Sequence, residues 1–264
     1  MSPAAVPVTV ALPGYHHTAE LVAGIVELAG MNPTFVAPPV AGAEIADLPL
    51  LDYVTRRLGG DDTMTAVPVF PARAFVLSWI HAAGDARRVT DPNPTATIYA
   101  RGLLTDRGER VEAIAVAPRS AVRGIPGLQP LFDEPGEAER ADYARTGVYP
   151  ILSVIVVRTE LLERERWLAS NVFRAFEVAR RRYFARLADI RGSRVPIPSV
   201  AGHVRGLRSV FGPDLGPYGL EPNRATMEAF VRYAAEQSVI AAPPDDVAEL
   251  FADVEPFVDY TDGS

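Results

Sequence analysis

Cysteine and lysine are both absent from this chain of 264 residues, and histidine occurs only four times. Without cysteine there is no disulfide, no thiolate nucleophile and no cysteine-ligated metal. All 26 basic residues are therefore arginine, and no side-chain amine can form a Schiff base with a carbonyl substrate or with pyridoxal phosphate. No run of about 18 apolar residues occurs, so no membrane-spanning helix is expected. The first ten residues carry no basic group and are interrupted by Pro3 and Pro7, unlike a secretory leader, and a cytoplasmic location is expected. A net charge of -7 without a basic stripe argues against a nucleic-acid partner.

What is present fits a soluble globular protein: 48% of the residues are hydrophobic and 22% charged. That is enough to build one large domain or two small lobes. Val6–Leu12 is a short apolar run ended by Pro13-Gly14 and reads as a buried strand. Thr18 stands where it can cap a following helix, with Leu21, Val22, Ile25, Val26 and Leu28 at helical spacing. Asn32–Val40 and Thr65–Phe70 read as further strands, a strand–helix–strand rhythm that predicts an α/β sheet with parallel neighbours.

Beyond Arg88–Asp91 a second lobe is expected, with a helix over Thr95–Leu104, a strand at Val111–Val116 and a loop-rich Pro118–Gly136. Ile151–Val157 reads as the strand that carries the chain back, and Trp167–Leu187 as a long helix. Val172, Phe173, Phe176, Ala179, Tyr183 and Leu187 line its inner face, and Arg174, Arg180, Arg181 and Arg186 form a solvated outer one. Ile190–Tyr218, rich in glycine and proline, reads as a connector. Met227, Phe230, Val231 and Ala234 define a last clear amphipathic helix.

In open α/β sheets ligands bind beyond the carboxyl ends of strands, where helix N-termini offer N–H groups to an anion. That rule selects Tyr15-His16-His17-Thr18 after the first strand, Arg73 after the third, Thr95 and Thr97 at a helix start, and Tyr149 before the return strand. Either imidazole can supply a proton near neutral pH; adjacent side chains diverge, so one role is expected of only one of them. A metal site is not expected, because spacing identifies no third ligand. Arg73 suits a bidentate pair with a carboxylate, or else a structural ion pair.

Four segments, in order, carry a family resemblance: Ala66-Val-Pro-Val-Phe-Pro-Ala-Arg73, Thr95-Ala-Thr-Ile-Tyr-Ala-Arg-Gly-Leu-Leu104, Thr146-Gly-Val-Tyr-Pro150 running into Ile151–Arg158, and Gly216-Pro-Tyr-Gly-Leu-Glu-Pro-Asn-Arg224. Together they resemble the 4,5-dihydroxyphthalate decarboxylases. The resemblance implies a two-lobed periplasmic-binding-protein type II-like α/β fold with an inter-lobe cleft. Residues 1–84 would open lobe 1, 85–150 would form a reduced lobe 2, and 151–264 would return to lobe 1. Tyr15 and Thr18 match the family pattern, while His16 and His17 replace an Asp and an Arg. Asp47 stands at the position of an acid, Pro49 replaces a serine, and Ser153 stands where histidine is usual. Between Leu104 and Glu109 the second lobe is shortened.

The resemblance implies a lyase without a cofactor, a decarboxylase of a hydroxylated aromatic or related cyclic carboxylate. His16 or His17 would be the proton donor, Asp47 would orient or recharge that imidazole, and Arg73 and the Thr95 helix start would anchor the carboxylate. The alternatives are a dehydratase of a cyclic carboxylate on the same fold or a small-anion binding protein without turnover. A homodimer is compatible with the sequence.

Overall fold

In a computed structural model the described residues are 5–73, 80–82, 113–114, 128–130, 135–189 and 199–257. The expected helix over Thr95–Leu104, and with it Thr95 and Thr97, lies outside them. By its internal contacts the chain divides into two compact units. The first comprises Met1–Ala72, Leu152–Pro222 and Ala248–Ser264, and the second Arg73–Ile151 and Asn223–Val247.

The first unit is built on β1 (Val6–Ala11), β2 (Met31–Val36), β3 (Ile45–Pro49), β4 (Met64–Val67) and a late strand, β8 (Ser153–Arg158), in the order β2-β1-β3-β8-β4. β1 runs parallel to β2 and β3, whereas β8 runs antiparallel to both its neighbours. The parallel pair follows the expected rhythm, but the strand at Met64–Val67 runs antiparallel to β8. β8 is Ser-Val-Ile-Val-Val-Arg, with its first five residues buried. It has no polar alternation because it sits inside a sheet covered on both faces.

Helix α1 (Ala19–Val22) is a single turn after a 3-10 turn at His16–Thr18, which corrects the expected longer helix. Gly24, with φ +70, takes the chain out of the helical region, and Val22 and Ile25 are left exposed at 45% and 60%. Helix α2 (Leu50–Leu58) packs on β3 and β8 through a face that buries Leu50, Tyr53 and Val54. The Tyr53 hydroxyl takes the Ala66 N–H and donates to the Leu250 carbonyl, tying the sheet to the C-terminal segment.

After β8 come α4 (Thr159–Arg164) and α5 (Leu168–Ala188); α3 (Pro135–Thr146) belongs to the second unit. α5 buries Leu168, Val172, Phe173, Phe176 and Ala179, as its 3.6-residue spacing predicts. Its arginine face is not uniformly solvated. Arg180 is only 1% exposed and is held by Glu177, Asp214 and the Leu215 carbonyl. A buried guanidinium is tolerable only with such partners. α6 (Val200–Phe211) replaces the middle of the expected connector and packs on α5. At Gly30, with φ +78, a Cβ would come within 2.8 Å of the Trp167 ring, so glycine is required where that ring docks.

In the second unit, β5 (Ile80–Ala82), β6 (Ala113–Ile114) and β7 (Leu128–Pro130) form an antiparallel sheet in the order β6-β5-β7. Helix α3 (Pro135–Thr146) follows, so the expected loop-rich stretch contains β7 and the start of a helix. α7 (Arg224–Glu236) buries Met227, Phe230, Val231 and Ala234, the stripe expected of it. The division that the resemblance implies keeps 151–264 together. Instead α7 groups with the second unit, where the Thr226 hydroxyl accepts the Tyr149 N–H at 3.2 Å.

Candidate functional site

In the first unit three neighbouring strands bring their polar residues together. β1 ends at Ala11, and the loop beyond it carries Tyr15 into the 3-10 turn of His16 and His17. Asp47 lies on β3, opposite Ile155 of β8, and Ser153 is opposite Pro49. Tyr15 Oη donates to Asp47 Oδ2 at 2.8 Å. Ser153 Oγ accepts the Ala72 N–H at 3.2 Å, and its hydroxyl stabilises the ionised forms of both Tyr15 and Asp47. Asp47 Oδ1 is buried.

Burial sets the protonation of this group. It is the largest influence on Asp47 and raises its carboxyl above the usual carboxylate range; the hydrogen bonds from Ser153 and Tyr15 pull the other way. Tyr15 is raised well above an ordinary phenol, first by burial and then by the neighbouring Asp47 charge. His17 stacks on Tyr15 with ring centroids 5.4 Å apart and meets Tyr183 of α5 edge-on at 6.3 Å. Burial, then the charge of Arg180, then His16 lower its pKa to about 4. At neutral pH His17 is a neutral ring.

Thr18 is fully buried, and its hydroxyl donates to the Tyr15 carbonyl at 3.1 Å. It makes no side-chain cap to α1, so its role is to hold the turn that presents Tyr15. His16 is exposed. Asp47 was expected to orient an imidazole. Its hydrogen bond goes to the phenol of Tyr15 instead, because β3 delivers the carboxylate beside the loop's first aromatic residue.

In the second unit, Arg73 forms an antiparallel bridge with Ile151, and its guanidinium lies over the Tyr149 ring at 5.6 Å. Burial raises the Tyr149 phenol, the Arg73 charge lowers it and Glu139 raises it. Glu139 is itself raised, chiefly by burial. Arg73 and Tyr149, named separately from the sequence, are thus one cluster. Among the described residues no three His, Asp or Glu side chains are grouped to hold a metal ion, and no helix is long and apolar enough to cross a membrane.

Ser153, Arg180, Tyr183 and Thr226 were not among the expected site residues. Only Ser153 carried a signal, a hydroxyl at the start of an otherwise apolar strand. The other three act through contacts between segments distant in sequence.

This arrangement can be set beside known proteins. No family model matches the chain. It is 24% identical over 295 aligned positions to the 4,5-dihydroxyphthalate decarboxylase of Comamonas testosteroni, a match that spans 84% of this chain and 89% of that one. Among solved structures it is similar to the periplasmic aliphatic sulphonate binding protein of Escherichia coli, with a TM-score of 0.52 at 14% identity over 98% of this chain and 96% of the other. A protein of Archaeoglobus fulgidus gives a TM-score of 0.51 at 11% identity over 89% and 98% of the two chains. The chain has the periplasmic-binding-protein fold. At these identities the structural likeness speaks for the fold alone, and the link to decarboxylation comes from the sequence relative.

Proposed function

We propose that this protein is a carboxy-lyase that acts on a hydroxylated aromatic or related cyclic carboxylate without a covalent amine intermediate. The observation that carries the reading is the match to a decarboxylase along most of both chains. It is supported by the Tyr15–Asp47 pair, a desolvated acid hydrogen-bonded to a phenol beside a neutral imidazole. A ring hydroxyl ortho or para to the carboxyl feeds electrons toward the carboxyl-bearing carbon. Protonation there lets carbon dioxide leave, with the carbon–carbon electron pair returning to the ring. A poorly solvated surrounding favours loss of the carboxylate charge.

In this reading Arg73 anchors a carboxylate, as a guanidinium fork suits two oxygens. His16 remains the candidate proton donor, because it is exposed and can exchange with solvent. His17 serves better as a neutral stacking partner, since its imidazolium is scarce at pH 7. The test is carbon dioxide release by the purified protein from a panel of hydroxylated aromatic mono- and dicarboxylates. Release above the protein-free rate is expected for at least one compound. Silence across the panel, with and without divalent metal, would rule the reading out.

A second reading is a small-anion binding protein without turnover, favoured by the fold shared with a periplasmic sulphonate binding protein. Under it, a panel compound raises the melting temperature by mass action while no product forms.

A further inference from the structure

Ser153, the first residue of β8, is tied twice to Ala72. Its N–H donates to the Ala72 carbonyl at 3.3 Å, and the Ala72 N–H donates to Ser153 Oγ at 3.2 Å. Ser153 is buried, so this reciprocal pair fixes its backbone and its side chain together. Across the sheet, Pro49 lies opposite Ser153 and Asp47 opposite Ile155. Asp47 and Ser153 are therefore diagonal neighbours on one face of the strand pair. From the loop after β1, Tyr15 Oη meets Asp47 Oδ2. We propose that Ser153 is the positioning residue of the Tyr15–Asp47 pair and fixes the direction of its hydrogen bond, the phenol donating and the carboxylate accepting.

A serine hydroxyl brings one proton and two lone pairs. One lone pair takes the Ala72 N–H, and the hydroxyl reaches both the Asp47 carboxyl and the Tyr15 oxygen. Donation to Asp47 favours its anion, which then draws the phenol proton. Donation to Tyr15 Oη leaves the phenol proton aimed at Asp47. Both routes run the same way, from a backbone N–H through hydroxyls to the carboxylate, and bonds in such a chain polarise one another. The reverse arrangement, a protonated Asp47 donating to Tyr15, is the one that burial favours and Ser153 opposes. The groups that act on the pair are Ser153 of β8 and the His17 ring stacked on Tyr15. What this direction does for turnover rests on the lyase reading; the direction itself does not.

The experiment is a carbon-13 NMR titration of the aspartate carboxyls in the wild type, Ser153→Ala and Ser153→Thr. Asp47 is identified by the signal that Asp47→Asn removes. A hydrogen bond to a charged acceptor is worth roughly tenfold or more in an equilibrium constant. The acid dissociation constant of Asp47 should therefore fall about tenfold in the alanine variant. Threonine keeps a hydroxyl and should return it to within about threefold of the wild type. If the alanine variant does not fold, Ser153→Val, the shape of threonine without its hydroxyl, takes its place. A change below about twofold on loss of the hydroxyl, or an equal change with and without one, would overturn the proposal. A role in packing alone would lower the melting temperature and leave this constant where it was. Turnover that needs the Asp47 anion should lose its acid limb at higher pH in Ser153→Ala and regain it in Ser153→Thr. A limb that stays in place while the Asp47 titration moves would remove Ser153 from turnover. A wild type that releases no carbon dioxide refutes the lyase reading, and the carboxyl titration still decides the role of Ser153.

Discussion

In the first unit the named side chains meet through hydrogen bonds among groups whose charge burial resists; in the second they meet through a permanent cation laid over a phenol ring. Asp47, Tyr15 and His17 all have ionisation displaced by desolvation, so small changes in their surroundings change which of them holds a proton. Arg73 is charged at every accessible pH, and the Tyr149 face fixes its position without competing for that charge. Displaced pKa values suit the first cluster to proton transfer, and constant charge suits the second to holding an anion.

The comparison breaks most sharply at Asp47. Asp47→Asn keeps the shape and the Tyr15 contact but removes the ionisable carboxyl, and turnover should fall by about 10²–10⁴-fold with the melting temperature little changed. A loss of less than about threefold would remove Asp47 from the chemistry. Arg180, whose charge reaches His17 from α5, tests the foundation of the same cluster. Arg180→Ala leaves the buried Glu177 with Arg181 alone and should cost about 3 kcal/mol in urea unfolding. The double change Glu177→Gln with Arg180→Met should recover part of that loss. Arg73→Met probes the other side of the contrast. Affinity for a benzoate-type anion should weaken about 10–100-fold while urea stability stays nearly constant; unchanged affinity would take the anchor away from Arg73.

His17 gives a pH-dependent test with a definite sign. Its folded pKa, about 4, lies below the ordinary value of 6.5, so the unfolded chain binds more protons between those values. Stability from this group is full above pH 6.5 and is lost as pH falls toward 4, by about 2 kcal/mol between pH 7 and pH 5. His17→Phe keeps a ring on Tyr15 and should flatten that part of the urea profile; an unchanged slope would mean that His17 is not buried as described. The smallest effect is expected at Thr226→Val, which leaves the Tyr149 N–H without its acceptor and should cost about 1–2 kcal/mol.

Much of the frame could be read from the sequence because its signals were local. The apolar runs of β1 and β8 and the stripes of α5 and α7 mark their own elements. β3 carries no such signal: Ile45-Ala-Asp-Leu-Pro holds an acid and a proline. It becomes a strand only because β1 and β8 pair with it from both sides. That pairing is what puts Asp47 beside Tyr15. The 3.6-residue spacing after Thr18 promised a long helix that Gly24 cuts short. Arg180 looked solvated because only one of its partners, Glu177, is nearby in sequence. Asp214, 34 residues away, makes its burial possible. Of the site, the loop at Tyr15–Thr18 was visible from its position after a strand, but its bonding pattern depends on contacts across the sheet.

The most direct test is the rate of carbon dioxide release by the wild-type protein and by Asp47→Asn, on the compound from the hydroxylated panel that the wild type turns over fastest. Release by the wild type with a loss of about a hundredfold or more in the variant is the predicted result. No release by the wild type, or equal release by the two proteins, would contradict it.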